Sequence, residues 1–298
     1  MEHMPDLNGT LDSYIVRHML ACPVCGAGMQ ISGDGRSLVC TGARRHCFDG
    51  GGSGYVSLSP RHPGGGDAKE AVRRRSAFLE RENYRPAADA LCGIVRELIP
   101  AGGAVLDAGC GEGYYSNRLA GEGYAVLGVD LSKYAADAAA RTARRNRQQD
   151  PGERTVFAVA SVFDLPVQDG SADCVTSLFA PCAPAEFARV LKPSGFLIVA
   201  GAGAGHLMGL KRILYDDPYI NQPRRDLPDD SHPLALVDTR HVTFPLRVCG
   251  EADVQALFAM TPYYWRTSQE GKERLKGLDV LESEAGFDFF IYRRKDRV

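Results

Sequence analysis

A glycine-rich segment that follows an apolar strand has residue types and spacing that could hold a nucleotide-like ligand. The apolar run 104–107 leads directly into the sequence D-A-G-C-G-E-G at residues 107–113. Glycines let the backbone turn tightly and approach a ligand, with a helix N-terminus behind them. Tyr114 stands where a dinucleotide-binding fingerprint needs glycine, and Asp107 would repel a pyrophosphate. The carboxylate suits cationic groups instead, such as the ammonium and sulfonium of S-adenosylmethionine.

A second carboxylate supports the same ligand. The next apolar run ends at Asp130, seventeen residues after Gly113, where an acidic side chain typically binds a ribose diol. The third run ends at Ser161, with Asp164 close by, and we expect this strand end to flank the adenine. A lone G-x-G would indicate only a tight turn. Here the glycine-rich turn lies between a strand and a helix, and the next strand ends in an acidic residue, a pattern that predicts a cofactor site.

Four of the nine cysteines crowd into one short segment. Cys22 and Cys25 form a C-x2-C pair, and Cys40 is followed by His46 and Cys47. Zinc prefers four nitrogen or sulfur ligands in a tetrahedron, and short knuckles supply them in pairs. Three thiolates with either His46 or Cys47 would complete the set, and the spacing favours neither. Free thiols are the alternative, but a segment this short lacks a hydrophobic core of its own and needs a bound metal for stability.

The elements that must position these residues alternate along the chain. Near-continuous apolar runs are typical of parallel strands buried on both faces, and they occupy residues 104–107, 124–130, 155–160, 173–179 and 195–201. Helical stretches lie between them. Two later strands are predicted at 241–248 and 287–294, with a helix between the two. Seven strands with helical crossovers predict a doubly wound, Rossmann-like α/β domain.

Composition limits the class of protein. The 298 residues are 44% hydrophobic with a net charge of −2, so any surface for nucleic acid must be local. The first twenty residues lack the apolar run of a secretory signal, and no stretch is long enough to span a membrane. We therefore expect a cytoplasmic protein. Residues 1–13 are polar and predicted to be disordered, and residues 61–70 have the composition of a linker.

Together the motifs resemble one family, the bacterial RlmA-type 23S rRNA (guanine-N1) methyltransferases. The resemblance extends from about Leu20 to Arg293 and includes the glycine loop, which many methyltransferases share. More particular pieces occur in the right order, namely C-P-V-C at 22–25, H-C-F-D at 46–49, A-F-L at 77–79, Y-R-P at 84–86, F-A-P-C at 179–182, R-V-L-K-P at 189–193, H-L-M at 206–208 and M-T-P-Y-Y-W-R at 260–266.

This resemblance implies a class I methyltransferase domain behind a small zinc-ribbon domain. It implies that the N-terminal module contacts a 23S rRNA hairpin and that two subunits pair as a homodimer. Because the family has H-x-F-D at 46–49, it implies zinc ligands at Cys22, Cys25, Cys40 and His46. The residues that we predict to contact S-adenosylmethionine are Asp107, Gly109, Gly111, Gly113, Tyr115, Asp130, Leu131 and Ser161.

The predicted organisation has three parts. Residues 1–60 form the zinc-binding, RNA-recognition module, residues 61–86 a basic linker and helix, and residues 87–298 the methyltransferase domain. Departures from the family are a G-G-G-S-G-Y stretch at 50–55 in place of a charged one, and a longer insertion at 41–45. These changes reduce the charge on the expected RNA face and leave room for another substrate.

Three residues are predicted to act on the substrate. The F-A-P-C strand end lacks the acidic or amide residue and the Pro-Pro-aromatic sequence of amino-group methyltransferases, which favours a ring nitrogen. Phe179, beside Pro181, could stack on a flipped base or simply pack in the core. His206 could orient the base, remove a proton or serve only structure. Addition to pyrimidine C5 through Cys182 would need a second cysteine on the next strand, which is missing.

Outside the pocket, aromatic and basic residues suggest RNA contacts. Trp265 could stack on RNA or close the domain as a hydrophobic plug. We expect Arg44, Arg45 and the arginines at 73–75 to neutralise phosphates, although a solvated helix face would look similar. Two other functions remain open. One is a small-molecule methyltransferase that keeps the zinc module as a lid, and the other is a catalytically silent rRNA-binding protein.

Overall fold

The computed structural model describes residues 11–59, 66–222 and 224–295. The disorder predicted for residues 1–10 and the part of the predicted linker at 61–65 lie outside these ranges. No helix among the described residues has the length and apolar character that crossing a membrane requires.

Strands and helices alternate along the chain as predicted. The strands within the described residues are β1 (Met29–Ile31), β2 (Ser37–Cys40), β3 (Cys47–Asp49), β4 (Val56–Ser57), β5 (Ala104–Ala108), β6 (Ala125–Asp130), β7 (Arg154–Val159), β8 (Ala172–Leu178), β9 (Leu191–Ala202), β10 (Leu234–Cys249) and β11 (Val280–Arg294). The helices within the same residues are α1 (Ser13–His18), α2 (Lys69–Leu79), α3 (Arg85–Leu98), α4 (Tyr114–Gly121), α5 (Lys133–Gln149), α6 (Pro184–Val190), α7 (Met208–Leu214), α8 (Glu251–Met260), α9 (Tyr263–Arg266) and α10 (Gln269–Glu273).

Eight strands form the central sheet, in the order β10-β11-β9-β8-β5-β6-β7-β4. Strands β4 to β9 of this sheet run parallel, and β11 is antiparallel to both of its neighbours. All seven predicted strands are present, which confirms the doubly wound α/β fold. The chain order reverses between β5 and β8, and ligands of such sheets bind at this point. The eighth strand, β4, was not predicted, because two residues of strand carry no periodic signal.

Both faces of the sheet are covered, which explains the continuous apolar runs. Alternate residues of a strand point to opposite faces. Leu106 and Leu127 belong to one core cluster, whereas Val105 and Val126 on the same two strands belong to the other. Neither face could therefore carry polar residues at these positions.

The N-terminal segment shares the core of the sheet. Ile15 of α1 and Met19, which directly follows this helix, are fully buried in the same cluster as Leu106. Residues 11–13 are not disordered, because Asp12 accepts a hydrogen bond from the Ile15 amide at 2.9 Å and caps α1. The glycine-rich stretch at 50–55 also packs inward, since the buried Ser53 hydroxyl donates to Asp137 of α5 at 2.7 Å. Among the described residues, the small sheet β1-β2-β3 is hydrogen-bonded separately from the large one, although Met29 and Leu38 are buried in the same cluster.

Candidate active site

A cavity of about 830 Å³ opens at the carboxyl ends of the strands, where β5 and β8 diverge. Ten of the eleven residues predicted for the cofactor and the substrate line it, namely Asp107, Gly109, Gly111, Tyr115, Asp130, Leu131, Ser161, Phe179, Pro181 and His206. Gly113 does not line this cavity. The fold thus brings residues from five separate strand ends to one cavity.

Each glycine of the loop has a different structural reason. Gly109 has φ +82°, and a Cβ there would lie 2.3 Å from the Ala180 Cβ. Gly111 has φ +55°, and a Cβ there would press on the Arg75 guanidinium at 3.3 Å. Gly113 precedes α4, and a Cβ there would meet Ala139 of α5 at 2.7 Å. The first two glycines shape the cavity, and the third lets two helices approach.

Asp107 is a buried acid at the floor of the cavity. Its carboxylate accepts hydrogen bonds from the hydroxyls of Ser116, at 2.5 Å, and Thr176, at 2.9 Å. Burial raises the pKa of Asp107 to about 6, although both hydroxyl donors act in the opposite direction. A cationic ligand group nearby would relieve this penalty. The environment thus favours the cationic end of a ligand over an anionic one.

Asp130 holds the glycine loop against the end of β6. One carboxylate oxygen accepts the Gly111 amide at 2.9 Å, and the other accepts the Ser132 amide at 2.7 Å. Burial raises the pKa of this carboxyl too, against the two amide hydrogen bonds. Each oxygen keeps a second lone pair, which a hydroxyl from a ligand could use.

Arg75 belongs to this site and not to an RNA-facing patch, so that part of the phosphate prediction is wrong. Its guanidinium donates to Glu112 of the glycine loop at 2.6 Å and also pairs with Asp67. Residues two apart on a helix point about 200° apart. The side chain of Arg75 therefore turns toward the cavity, whereas Arg73 faces away from it.

The opposite half of the cavity carries aromatic rings, and the cavity lining also includes Arg224 and Arg266. Phe179 directly follows β8 with φ +54°, a strained backbone for a bulky residue, and the residue is 49% exposed. The Phe179 ring contacts the rings of His206 and Phe287, with centroids 6.1 and 5.3 Å apart. The exposure argues against simple core packing and fits a ring that stacks on a ligand.

His206 is buried, with its tautomer fixed by the backbone. The Gly286 amide donates to Nδ1 of His206 at 3.2 Å, which leaves the proton of the neutral ring on Nε2. Burial lowers the pKa of His206 to about 4. The ring is therefore neutral at physiological pH and can donate one hydrogen bond from Nε2.

A cover that the sequence did not reveal completes the cavity. This cover consists of two segments, residues 219–222 and 260–263. The fully buried Lys211 links the two segments. The Lys211 ammonium donates to the Tyr219 carbonyl at 2.9 Å and to Asn221 Oδ1 at 2.7 Å. Tyr263 donates to the same Asn221 oxygen at 3.2 Å. Irregular loops have no hydrophobic periodicity, so the sequence does not predict this network. Its distinguishing feature in the structure is a buried lysine.

Two alternatives from the sequence do not fit the geometry. Cys182 does not line the cavity, and burial raises the pKa of its thiol to about 12, which opposes a role as nucleophile. Trp265 is 83% exposed and so cannot be a hydrophobic plug. Tyr263 is the buried aromatic of that motif.

A second cluster lies at the small sheet. The ligand atoms of Cys22, Cys25, Cys40 and His46 all lie within 4.8 Å of one another. Nδ1 of His46 is 3.5 Å from the sulfurs of Cys22 and Cys40. Ligands bonded to zinc at about 2.0–2.3 Å in a tetrahedron lie roughly 3.3–3.8 Å apart. Cys47 is exposed and lies outside the group, so the geometry selects His46 over Cys47.

Comparison with known proteins places this architecture in a family. Residues 106–199 match the family described as methyltransferase domain. A Bacillus subtilis protein with the provisional name 23S rRNA (guanine-N1)-methyltransferase is 30% identical over 92% of this chain and 96% of its own. The 23S rRNA (guanine(748)-N1)-methyltransferase of Streptomyces fradiae is 35% identical over 67% of this chain and 70% of its own. The chain therefore belongs to the family of 23S rRNA (guanine-N1) methyltransferases.

Proposed function

We propose that this protein transfers a methyl group from S-adenosylmethionine to N1 of a guanine in a 23S rRNA hairpin. The observation that carries the proposal is one cavity with two unlike halves, in a chain of this family. Carboxylates at Asp107 and Asp130 line one half, and Phe179 with a neutral His206 lines the other. The first half suits a cationic cofactor, and the second suits a planar, uncharged base.

The proposed chemistry asks little of the protein beyond orientation. S-adenosylmethionine supplies an already activated methyl group. Phe179 stacks on the extruded base and, with Pro181, orients its N1. The Nε2–H group of His206 donates to guanine O6, where negative charge grows as the N1 proton passes to solvent water; the methyl group then moves from sulfur to N1 and leaves S-adenosylhomocysteine. Because Nδ1 of His206 already accepts the Gly286 amide, we assign this histidine to hydrogen-bond donation and not to proton removal.

The remaining assignments follow from the same reading. We propose that Cys22, Cys25, Cys40 and His46 hold one Zn²⁺, for which the donor set and spacing are suitable. Residues 1–60 would act as the RNA-recognition module and residues 87–298 as the catalytic domain. We further propose a cytoplasmic homodimer, as the resemblance to the family implies.

Transfer of labelled methyl groups to unmodified 23S rRNA tests the proposal. We expect the label in 1-methylguanosine after nuclease digestion and mass spectrometry, and its loss in a Phe179→Ala, His206→Ala double variant. A protein that binds cofactor yet puts no label into this RNA would contradict the rRNA assignment. A small-molecule methyltransferase would give that result, with turnover that does not depend on salt.

A further inference from the structure

A second large groove, next to the active-site cavity, lies between α2, α4 and α5. Its volume is about 1050 Å³. Helix α2 lies between parts of the two spaces, because Arg73 and Ser76 line the groove while Arg75 lines the cavity. Leu79, Glu112 and Tyr114 line both, so an occupant of the groove would lie directly beside the cofactor site.

The groove carries an excess of positive charge. Six cations line it, Lys69, Arg73, Arg118, Arg141, Arg144 and Arg145. Four carboxylates line it as well, and each is within 4 Å of an arginine: Glu80 with Arg145, Glu82 with Arg118, Asp137 with Arg141, and Glu112 with Arg75.

Three cations are therefore left over. Lys69, Arg73 and Arg144 are exposed, and none of them forms an ion pair with a residue that the structure describes. Lys69 and Arg73 lie one turn apart on α2, and Arg144 faces them from α5. Cations on both walls with no internal partner fit a polyanion that passes between them.

We propose that this groove binds the phosphate backbone of the RNA strand next to the nucleotide in the active site. The inference rests on the proposed function and adds the path of the strand. Lys69, Arg73 and Arg144 contact phosphates of the strand that leads to the active site. The three cations lie on helix surfaces, and phosphate contacts of this kind position a strand without reading its base sequence.

Charge removal in the groove tests this path. The test variant is Arg73→Ala with Arg144→Ala. The matched control is Arg96→Ala with Arg247→Ala, which removes two exposed charges outside both cavities. Affinity for an unmodified 23S rRNA transcript is measured from 50 to 300 mM salt, and affinity for S-adenosylhomocysteine by calorimetry.

We expect the groove variant to bind the transcript at least about tenfold more weakly than the wild type at 150 mM salt. Because two phosphate contacts are lost, its plot of log affinity against log salt concentration should have a slope that is shallower by roughly 1.4–1.8. Cofactor affinity should not change. Equal affinity and slope in the groove variant and the control would overturn the proposal. Label in 1-methylguanosine from the wild type tests the reaction separately, so failure of the reaction and failure of the groove give different results.

Discussion

His206 is a buried histidine whose proton position is set by one backbone hydrogen bond. We expect His206→Ala to lower kcat about 10²-fold or more, the usual effect of removing a donor at a developing oxyanion. His206→Gln keeps an N–H donor and should recover part of the rate. Because burial lowers the pKa of His206 to about 4, the wild-type rate should show no protonation step from this residue near pH 6.5.

A limb near pH 6.5 in the kcat profile that disappears in His206→Gln would show instead that His206 titrates as a base. Stability gives an independent check. Below pH 6.5 the unfolded chain takes up a proton that the folded chain refuses until about pH 4, so stability is lost as the pH falls through this window. The loss is on the order of 3 kcal/mol at most. Urea unfolding at pH 7 and pH 5 should show a smaller drop for His206→Gln than for the wild type.

Arg75 tests how the glycine loop is held. We expect Arg75→Ala to weaken S-adenosylhomocysteine binding roughly ten- to a hundredfold, because Glu112 is left buried beside the cofactor loop without its charged partner. Calorimetric titration measures the change. Arg74→Ala is the control, since Arg74 pairs with Glu70 on the same exposed helix face. Equal cofactor affinities in the two variants would show that the Arg75–Glu112 ion pair has no effect on cofactor binding.

At the scale of elements, the cysteine cluster organises the small sheet. We expect about one zinc per wild-type chain and none in Cys25→Ser, because three ligands form a weak site. Cys47→Ser is the matched control and should keep its zinc, since Cys47 lies outside the cluster. Because α1 and β4 belong to the large core, Cys25→Ser should still bind S-adenosylhomocysteine. Metal analysis measures the zinc content, and calorimetry measures cofactor affinity. Loss of zinc in Cys47→Ser would show that Cys47, and not His46, is the fourth ligand.

At the scale of the molecule, the N-terminal segment and the large sheet fold together. A chain that begins at residue 66 would lack α1 and β4, and would expose apolar surface of the core along with the edge of β7. We therefore expect this truncated chain to aggregate or to melt well below the full chain. Thermal unfolding of both measures the difference. A truncated chain with an unchanged melting temperature would mean that the two parts are independent.

The sequence by itself determined the fold class, the strand order along the chain and ten of the residues that line the cavity. Continuous apolar runs, a glycine-rich turn and carboxylates at strand ends are local signals, and strand ends of a parallel sheet meet at one edge. Asp107, Asp130 and Phe179 could therefore be placed together before the structure was known. The cysteine spacing likewise marked a cluster, but left His46 and Cys47 equal.

Only the tertiary structure decided which neighbours each side chain meets. Two arginines of α2 that are two residues apart face different surfaces, with Arg75 on the glycine loop and Arg73 in the groove. Strand β4 joins the large sheet beside β7, about a hundred residues away along the chain. The cover held by Lys211 has no periodicity at all. These contacts depend on how distant elements pack, and a sequence pattern reports only the local periodicity of each element.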